Sequence, residues 1–492
     1  MIKNEYIDNL FECGLKFHQF GNLHNAEKIY LEVLKTDEKH HDSIHYLGVI
    51  AYQHKRFEDA IDLIDLSIQL SPNNAAAYTN RGNILKDVNR LTEAADSYKK
   101  ALEINPHSAE AYANLGIIYK EMSQIEMALV SYEKALDINP NFSQAYFNKG
   151  NALKEIKFID EALLNYEKAI TLNPNYEDAI FNKAISLLLK EEIGIGFKDY
   201  ESRWRVKDFI SKKFITTQPL WLGDKSLFKK TILIHSEQGL GDTLQFVRYL
   251  PSVLSLGATI YFQVEEKLIK ILSLTYSSIC TFIPKGSKLP DFDFHCPLLS
   301  LPLAFKTNLE TIPSSLSYLS FEEESIDIWK SRITSRGFKI GINWQGSQAK
   351  IDLGRSFPLS LFSEISKISE VRLISLQKGF GTEQLDNIPK GMKVETLGDD
   401  FDNGPDAFID TAAVMKCLDL VITSDTSIAH LAGALGVPTW VALKYVPDWR
   451  WLLDRTDSPW YPTIRLFRQK ERNNWEAVFD EMNHELLQKL TK

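Results

Sequence analysis

Ser424-Asp425-Thr426-Ser427-Ile428-Ala429-His430-Leu431-Ala432-Gly433-Ala434-Leu435-Gly436-Val437-Pro438 decides how the second half of this 492-residue chain is read. The apolar run Leu420-Val421-Ile422 stops at small hydroxyl and carboxylate residues, and an Ala/Leu-rich helical pattern follows at once and ends at Gly436. A strand, a tight turn and a helix are expected. Such a helix start offers unpaired backbone N–H groups and the positive end of the helix dipole at Thr426 to Ile428, which suits an anion such as a phosphate. His430 follows Thr426 at i+4, so the two side chains are expected to face the same ligand. Taken alone, the stretch also reads as a capped helix carrying an ordinary histidine.

Upstream and downstream of it lie two alternating α/β blocks. Thr231-Ile232-Leu233-Ile234 is a short buried strand, followed by Glu237-Gln238-Gly239-Leu240-Gly241-Asp242-Thr243 and a helix through Leu254. Another strand over residues 259–264 and a helix over 265–274 follow at βαβ spacing. The second block starts at residues 339–344 and continues with strands near 371–376 and 393–397, a helix at 411–417 and a strand at 418–423. Two similar parallel-sheet domains with a cleft between them are expected, and ligands of such sheets sit beyond the carboxyl ends of the strands. Gly239-Leu240-Gly241 is a poor dinucleotide fingerprint, because Leu244 stands where a third glycine belongs. Asp242 is either a cap of the helix that begins there or a general base aimed into the cleft. Asp291-Phe292-Asp293 lies in an alternating segment and reads as a strand with solvent-facing carboxylates rather than a metal pair, and no metal is expected.

The first two hundred residues repeat. Gly14, Gly48, Gly82, Gly116 and Gly150 recur every 34 residues, with Ala184 in the next slot. Pro72, Pro106, Pro140 and Pro174 keep the interval, as do Ala26, Ala60, Ala94, Ala128 and Ala162, and Tyr98, Tyr132 and Tyr166 with Tyr30 and Tyr200 in phase. Each period holds two helical patterns joined by a polar turn, with an Asn-Pro stop between periods. These residues resemble tetratricopeptide repeats, five clear units and a degenerate sixth over residues 1–206. Such units stack and present a concave surface that binds a protein or peptide. Asn80, Asn114, Asn148 and Asn182 recur two positions before the small residue. They either line a groove that holds an extended peptide or make hydrogen bonds between helices. His41 and His45 have metal-compatible i, i+4 spacing but no third ligand, so solvent-facing histidines are expected. Phe197, Tyr200 and Trp204 are expected to seal the last repeat, and residues 207–230 to form a packed connector in which Pro219-Leu220-Trp221-Leu222-Gly223 is extended.

Gly239-Leu240-Gly241-Asp242-Thr243 and Ser424-Asp425-Thr426-Ser427-Ile428-Ala429-His430, with Trp344-Gln345-Gly346 and Ser375-Leu376-Gln377-Lys378-Gly379, resemble glycosyltransferase family 9. That family contains the ADP-heptose:lipopolysaccharide heptosyltransferases and has the GT-B fold of twin Rossmann-like domains. The resemblance runs from about Thr231 to Phe467. It implies an α + α/β chain in which the tetratricopeptide-repeat solenoid precedes an acceptor-side domain at 231–335 and a nucleotide-sugar-binding domain at 336–470. A C-terminal helix at 471–492 is a candidate to cross back to the first of these. The implied activity is inverting, metal-independent glycosyl transfer, hexosyl- or heptosyltransferase-like, with a nucleotide-diphosphate sugar as co-substrate and no cofactor. Asp242 matches the family's catalytic base, and Asp425, Thr426, Ser427 and His430 match its donor diphosphate and sugar site. Arg355, in Gly354-Arg355-Ser356-Phe357-Pro358, falls where the family holds the leaving diphosphate, which a guanidinium fork suits. Gln377 and Lys378 are candidates for nucleotide contact, and Gly239, Gly241 and Thr243 for an acceptor loop. Ser427 and Arg355 replace the glycine and lysine usual in heptosyltransferases. Repeats ahead of such a module also resemble, in architecture, the protein O-linked N-acetylglucosamine transferases, so the acceptor is expected to be a protein or surface glycan recruited by the repeats. The alternative is a non-catalytic repeat scaffold with a nucleotide-sugar-binding or degenerate transferase domain.

Composition bounds these readings. Length implies two or three domains, and 44% hydrophobic with 25% charged residues implies a soluble globular chain. A net charge of -9 without a basic stripe argues against a nucleic-acid partner. No apolar run is long enough to span a membrane, and the start lacks the apolar core of a signal peptide, so a cytoplasmic location is expected. Cys13, Cys280, Cys296 and Cys417 have no ligand spacing and are expected to be reduced packing residues.

Overall fold

The computed structural model describes residues 2–347 and 354–491, with side chains from residue 5. It divides into two compact units, Met1–Ala179 and Ile180–Lys492.

The first unit is a run of helix–turn–helix pairs: Ile2–Gln19 with Leu23–Thr36, His41–Gln53 with Phe57–Leu70, Ala75–Asp87 with Leu91–Ile104, Ala109–Glu121 with Ile125–Ile138, and Ser143–Glu155 with Ile159–Leu172. Two of the 34-residue series explain each other. A methyl group on Gly82, Gly116 or Gly150 would lie 2.7, 2.5 or 2.7 Å from the ring of Tyr98, Tyr132 or Tyr166. Glycine on the first helix is thus the seat of the large residue on the second. Gly14 receives Tyr30 in the same way, and Gly48 receives Ile64. The alanine series is fully buried where the paired helices cross. Each intra-pair turn passes through one left-handed residue: Gly21, then Lys55, Asn89, Ser123 and Lys157 with φ between 60° and 65° for the last four. Side chains there cost about 1–2 kcal/mol each. The cost is offset by closing bonds such as Arg56 N–H to Ala51 C=O at 2.9 Å and Gln124 N–H to Tyr119 C=O at 2.8 Å. His45 is buried with its Nε2 2.8 Å from Asn80 Nδ2, so it does not face solvent as expected.

The second unit begins inside the helix Glu177–Leu189, which with Ile193–Tyr200 forms a sixth pair. The repeats were expected to stay together to residue 206. They part earlier because Phe197 and Tyr200 pack on Trp449 at 5.5 and 6.1 Å between ring centroids, and because Arg203 is buried among groups of the first sheet. In that sheet β1 (Thr231–His235), β2 (Thr259–Val264), β3 (Cys280–Pro284) and β4 (Phe294–Pro297) are parallel in the order β3-β2-β1-β4. The second sheet holds β5 (Phe338–Asn343), β6 (Val371–Ser375), β7 (Leu420–Ser424), β8 (Thr439–Leu443) and β9 (Ile464–Arg468), parallel in the order β6-β5-β7-β8-β9. The central strands are continuous Ile/Leu/Val runs buried on both faces, as parallel strands require. Strand order reverses at β1/β4 and at β5/β7, and crevices form beyond the carboxyl ends at such points.

Several local expectations change. Residues 393–397 give one bridge, Glu395 to Ile374, instead of a strand. Asp293 does not face solvent as a free carboxylate; it accepts the Thr231 N–H at 2.8 Å and hydroxyl at 3.0 Å, pinning β4 to β1. The connector is anchored by buried Trp221, whose N–H donates to His295 C=O at 2.9 Å. The terminal helix Trp475–Leu490 does not cross back: Trp475, Val478, Phe479, Met482 and Leu486 pack with Phe357, Phe362 and Ile340 on the second sheet. Among the described residues no helix is long and apolar enough to cross a membrane.

The glycine seats give a direct test. Gly116→Ala forces a methyl into the Tyr132 ring and is expected to destabilise the protein by about 1–3 kcal/mol. Gly194→Ala, where nothing lies within 4 Å, is expected to be neutral or slightly stabilising. Equal thermal or urea unfolding midpoints for the two variants would refute the packing account.

Candidate functional site

The turn after β1 and the turn after β7 meet. The second residue of the helix Leu240–Phe246 is Gly241, where a Cβ would stand 2.7 Å from the His430 ring and 3.3 Å from the Ser427 Cα. Gly241 is therefore required for close approach to the start of the helix Ser427–Ala434, and the two motifs read separately in the sequence form one locus. Gln238, just before, holds a left-handed φ of 60° and is fixed by its N–H to Ser211 Oγ and its amide to Tyr200 Oη, each at 2.8 Å. Gly239 is exposed, whereas Thr243 is fully buried and so is not part of an open acceptor loop.

Asp242 has both carboxylate oxygens engaged. Oδ2 accepts the Gly239 N–H at 2.8 Å, the capping role, and Oδ1 is paired with the Arg450 guanidinium. Burial pushes its carboxyl up against the pull of Arg450 and of that N–H. Arg450 is itself buried and also donates to Asp448 Oδ1 at 2.8 Å while stacking on Trp449. Burial alone would raise Asp448, but Arg450 outweighs it and holds the carboxyl below its ordinary range. Asp425 is the opposite case. Burial pushes it up to about 6, Asp448 adds to the rise, and Arg355 opposes it. Arg355 thus stands near Asp425 as a second cation of the locus.

The remaining expected contacts turn inward. Thr426 donates its hydroxyl to Asn343 Oδ1 at 3.0 Å, and Thr423 does so at 3.1 Å, which ties β7 to the end of β5 at the switch point. His430 does not share a ligand with Thr426. Its Nδ1 lies 2.8 Å from Tyr461 Oη, its ring stacks on Trp451 at 5.3 Å, and burial, then Arg450, hold it neutral with a pKa of about 3. Gln377 is a buried clamp rather than a nucleotide contact: Oε1 accepts from Asn343 Nδ2 and the N–H groups of Trp344 and Gln345, and Nε2 donates to Gln345 and Phe380 carbonyls. Lys378 is tied to the Phe401 carbonyl and ring. Ser427 is left partly exposed at the helix start. The missed residues are Asp448, Arg450, Trp451 and Asn343. The run Pro447-Asp448-Trp449-Arg450-Trp451 follows β8, so its place beyond a parallel strand was the available signal.

In the repeats, Asn80 and Asn114 take the interhelical alternative. Asn80 meets His45 of the preceding pair, and Asn114 Nδ2 donates to Asn83 Oδ1 at 3.2 Å. Asn148 is buried, its Oδ1 3.5 Å from Gln144 Nε2 and its Nδ2 without a hydrogen-bond partner among the described residues. Asn182 belongs to the second unit, where its carbonyl accepts the Ser186 hydroxyl at 2.8 Å. Among the described residues no group of three or more His, Cys, Asp or Glu could hold a metal ion.

Tetratricopeptide-repeat families match residues 17–75, 82–123, 109–142 and 131–163, so the chain carries these repeats. Protein FlbA of Caulobacter vibrioides is 26% identical over 315 residues, 60% of this chain and 52% of FlbA. The chain thus aligns with about half the length of that curated relative. The crystal structure of MamA is similar at 28% identity over 33% of this chain and 94% of that one, with a TM-score of 0.31. Pseudomonas aeruginosa PilF is similar at 18% identity over 43% and 94%, with a TM-score of 0.39.

The raised Asp425 pKa has a signed consequence. Its folded-state value of about 6 lies above its ordinary 3.8, so the folded protein binds this proton more tightly. The stability this contributes is present below about pH 3.8 and is lost as pH rises through about 6. Asp425→Asn, which cannot ionise, is expected to gain stability relative to the unmutated protein between pH 4 and pH 7. Urea unfolding of both proteins across that range measures the gain, and a pH-independent difference would rule the account out.

Proposed function

We propose that this chain is a protein- or peptide-binding repeat scaffold that carries a nucleotide-diphosphate-sugar-binding module of GT-B type, with Asp242 serving structure rather than turnover. The observation that carries this reading is the double engagement of Asp242, by the Gly239 N–H and by Arg450. A general base must draw the proton it removes, and here each carboxylate oxygen already accepts from a donor of this chain, one of them the Arg450 cation, whose pull opposes proton uptake. Donor binding is supported by the β5/β7 crevice, where the start of the helix Ser427–Ala434 and Arg355 provide partial and full positive charge for a diphosphate. The repeats supply the partner-binding half of the reading, since stacked repeats of this family fit protein or peptide partners.

A second reading, inverting glycosyl transfer, is favoured by the burial that raises Asp242, because a carboxylate with increased proton affinity is a better base. In it Asp242, released from Arg450, takes the proton of an acceptor hydroxyl. The hydroxyl oxygen attacks the anomeric carbon as the bond to the diphosphate oxygen breaks, and the diphosphate leaves toward Arg355 and the helix amides.

Melting temperatures measured with a panel of nucleotide-diphosphate sugars test both. A donor that binds the folded state is expected to raise the melting temperature, in Asp242→Asn as well as in the unmutated protein, and the rise is expected to shrink in Arg355→Ala. The scaffold reading expects no sugar transfer or donor hydrolysis in either. The transfer reading expects turnover that falls about 10²–10⁴-fold in Asp242→Asn. If no donor shifts the melting temperature, the nucleotide-sugar assignment is wrong in both forms.

A further inference from the structure

The first sheet carries a cleft of its own, apart from the locus around Asp242 and Asp425. Beyond the carboxyl ends of β1, β2 and β3 lies a cleft of about 650 Å³, within the range of small-ligand sites. Its floor is His235, whose ring stacks on Phe214 at 4.7 Å and whose Nε2 lies 3.3 Å from Nδ1 of His295 on the neighbouring β4. Its wall is the connector segment that carries Lys212 and Lys213, flanked by the exposed side chains of Ile210 and Ile215.

The exposed charge in this cleft is one-sided. Glu237 is the carboxylate of the lining and is buried, held by the two-bond fork from Arg203 at 3.0 and 2.9 Å, a guanidinium it shares with Glu201, and by the Leu299 N–H at 3.2 Å. Lys285 is paired with Glu265 at 2.5 Å. Lys212 and Lys213 are exposed and make no ion pair among the described residues. Burial lowers both imidazoles; His295, then Lys285 and Arg203, add to the lowering at His235, and Lys213 adds to it at His295. Neutral imidazoles can donate or accept, aromatic and aliphatic faces are at hand, and two uncompensated ammonium groups stand on one wall.

We propose that this cleft binds a small organic phosphomonoester. Its dianion pairs with Lys212 and Lys213, and its carbon body lies against Phe214, Trp204 and the flanking isoleucines. Two uncompensated positive charges match the roughly two negative charges of a phosphomonoester near neutral pH. A ligand held by these groups is also desolvated on one face, where charge-assisted hydrogen bonds are strengthened. The site lies on the first sheet, and the proposal does not rest on nucleotide-sugar binding at the second.

Calorimetric titration of the full chain with glucose 6-phosphate, glucose and glucuronate tests it. The expected result is saturable binding of glucose 6-phosphate, at least tenfold weaker binding of glucuronate and none of glucose. Lys212→Ala/Lys213→Ala, at exposed positions, is expected to weaken glucose 6-phosphate at least tenfold, whereas exposed Lys390→Ala leaves it unchanged. Arg355→Ala is also expected to leave it unchanged, which separates this site from the second-sheet crevice. Imidazole resonances provide an independent reading, since a bound dianion is expected to move the His295 titration upward. Glucose binding as tight as glucose 6-phosphate, affinity retained in the double lysine variant, or a His295 titration that ignores the ligand would each overturn the proposal.

Discussion

The guanidinium of Arg203 is fully buried, and each of its five N–H groups has an acceptor: Glu237 twice, Ser300, Glu201 and the carbonyl of Tyr200. These acceptors come from the end of the last helical pair, from the turn after β1 and from the segment after β4. Removing one partner of such a pair leaves a charge without compensation and costs about 3–5 kcal/mol. The last repeat is therefore part of the first sheet's core energetically, which is why the compact unit begins at Ile180 and not at the end of the helical run. The same contact holds the Glu237 carboxylate below the surface of the first-sheet cleft, so that the exposed charges of its lining are lysines. One buried cation thus sets both the boundary of a unit and the electrostatics of a cleft.

The two crevices of this unit are built on the same topology and carry different chemistry. At β5/β7 cations and carboxylates alternate, with Arg450 between Asp242 and Asp448 and Arg355 beside Asp425. Three carboxylates share two arginines there, and an incoming anion competes with resident carboxylates. At the first-sheet cleft the lining carboxylate, Glu237, lies below the surface and the lysines do not. An anion meets less competition at the second of these, although the sequence motifs draw the eye to the first.

The repeat was legible because its constraint is local: a glycine and the aromatic residue it seats are separated by 16 positions in every unit where both occur, so a periodic count finds them. The alternating strands and helices were legible from their apolar runs. Side-chain direction was not. Spacing placed Thr426 and His430 on one helical face, but Thr426 is the residue before the helix and turns to Asn343, while His430 faces Trp451 and Tyr461. Gln377 looked like a ligand contact because it follows a strand, yet its amide closes a backbone loop. Arg450 lay 208 positions from the carboxylate it pairs with, a separation no local pattern spans.

The seating of a ring on a glycine closes inside a single period, and the left-handed turn and its closing bond do too. A stretch of coding sequence one period long therefore carries the packing instructions for the pair itself, while bonds such as Asn80 to His45 and Asn114 to Asn83 repeat from one pair to the next. Duplication or excision of such a stretch lengthens or shortens the helical run by a fixed step and leaves the seat inside each remaining pair intact. The length of the helical run is thus a quantity that recombination can change by counting.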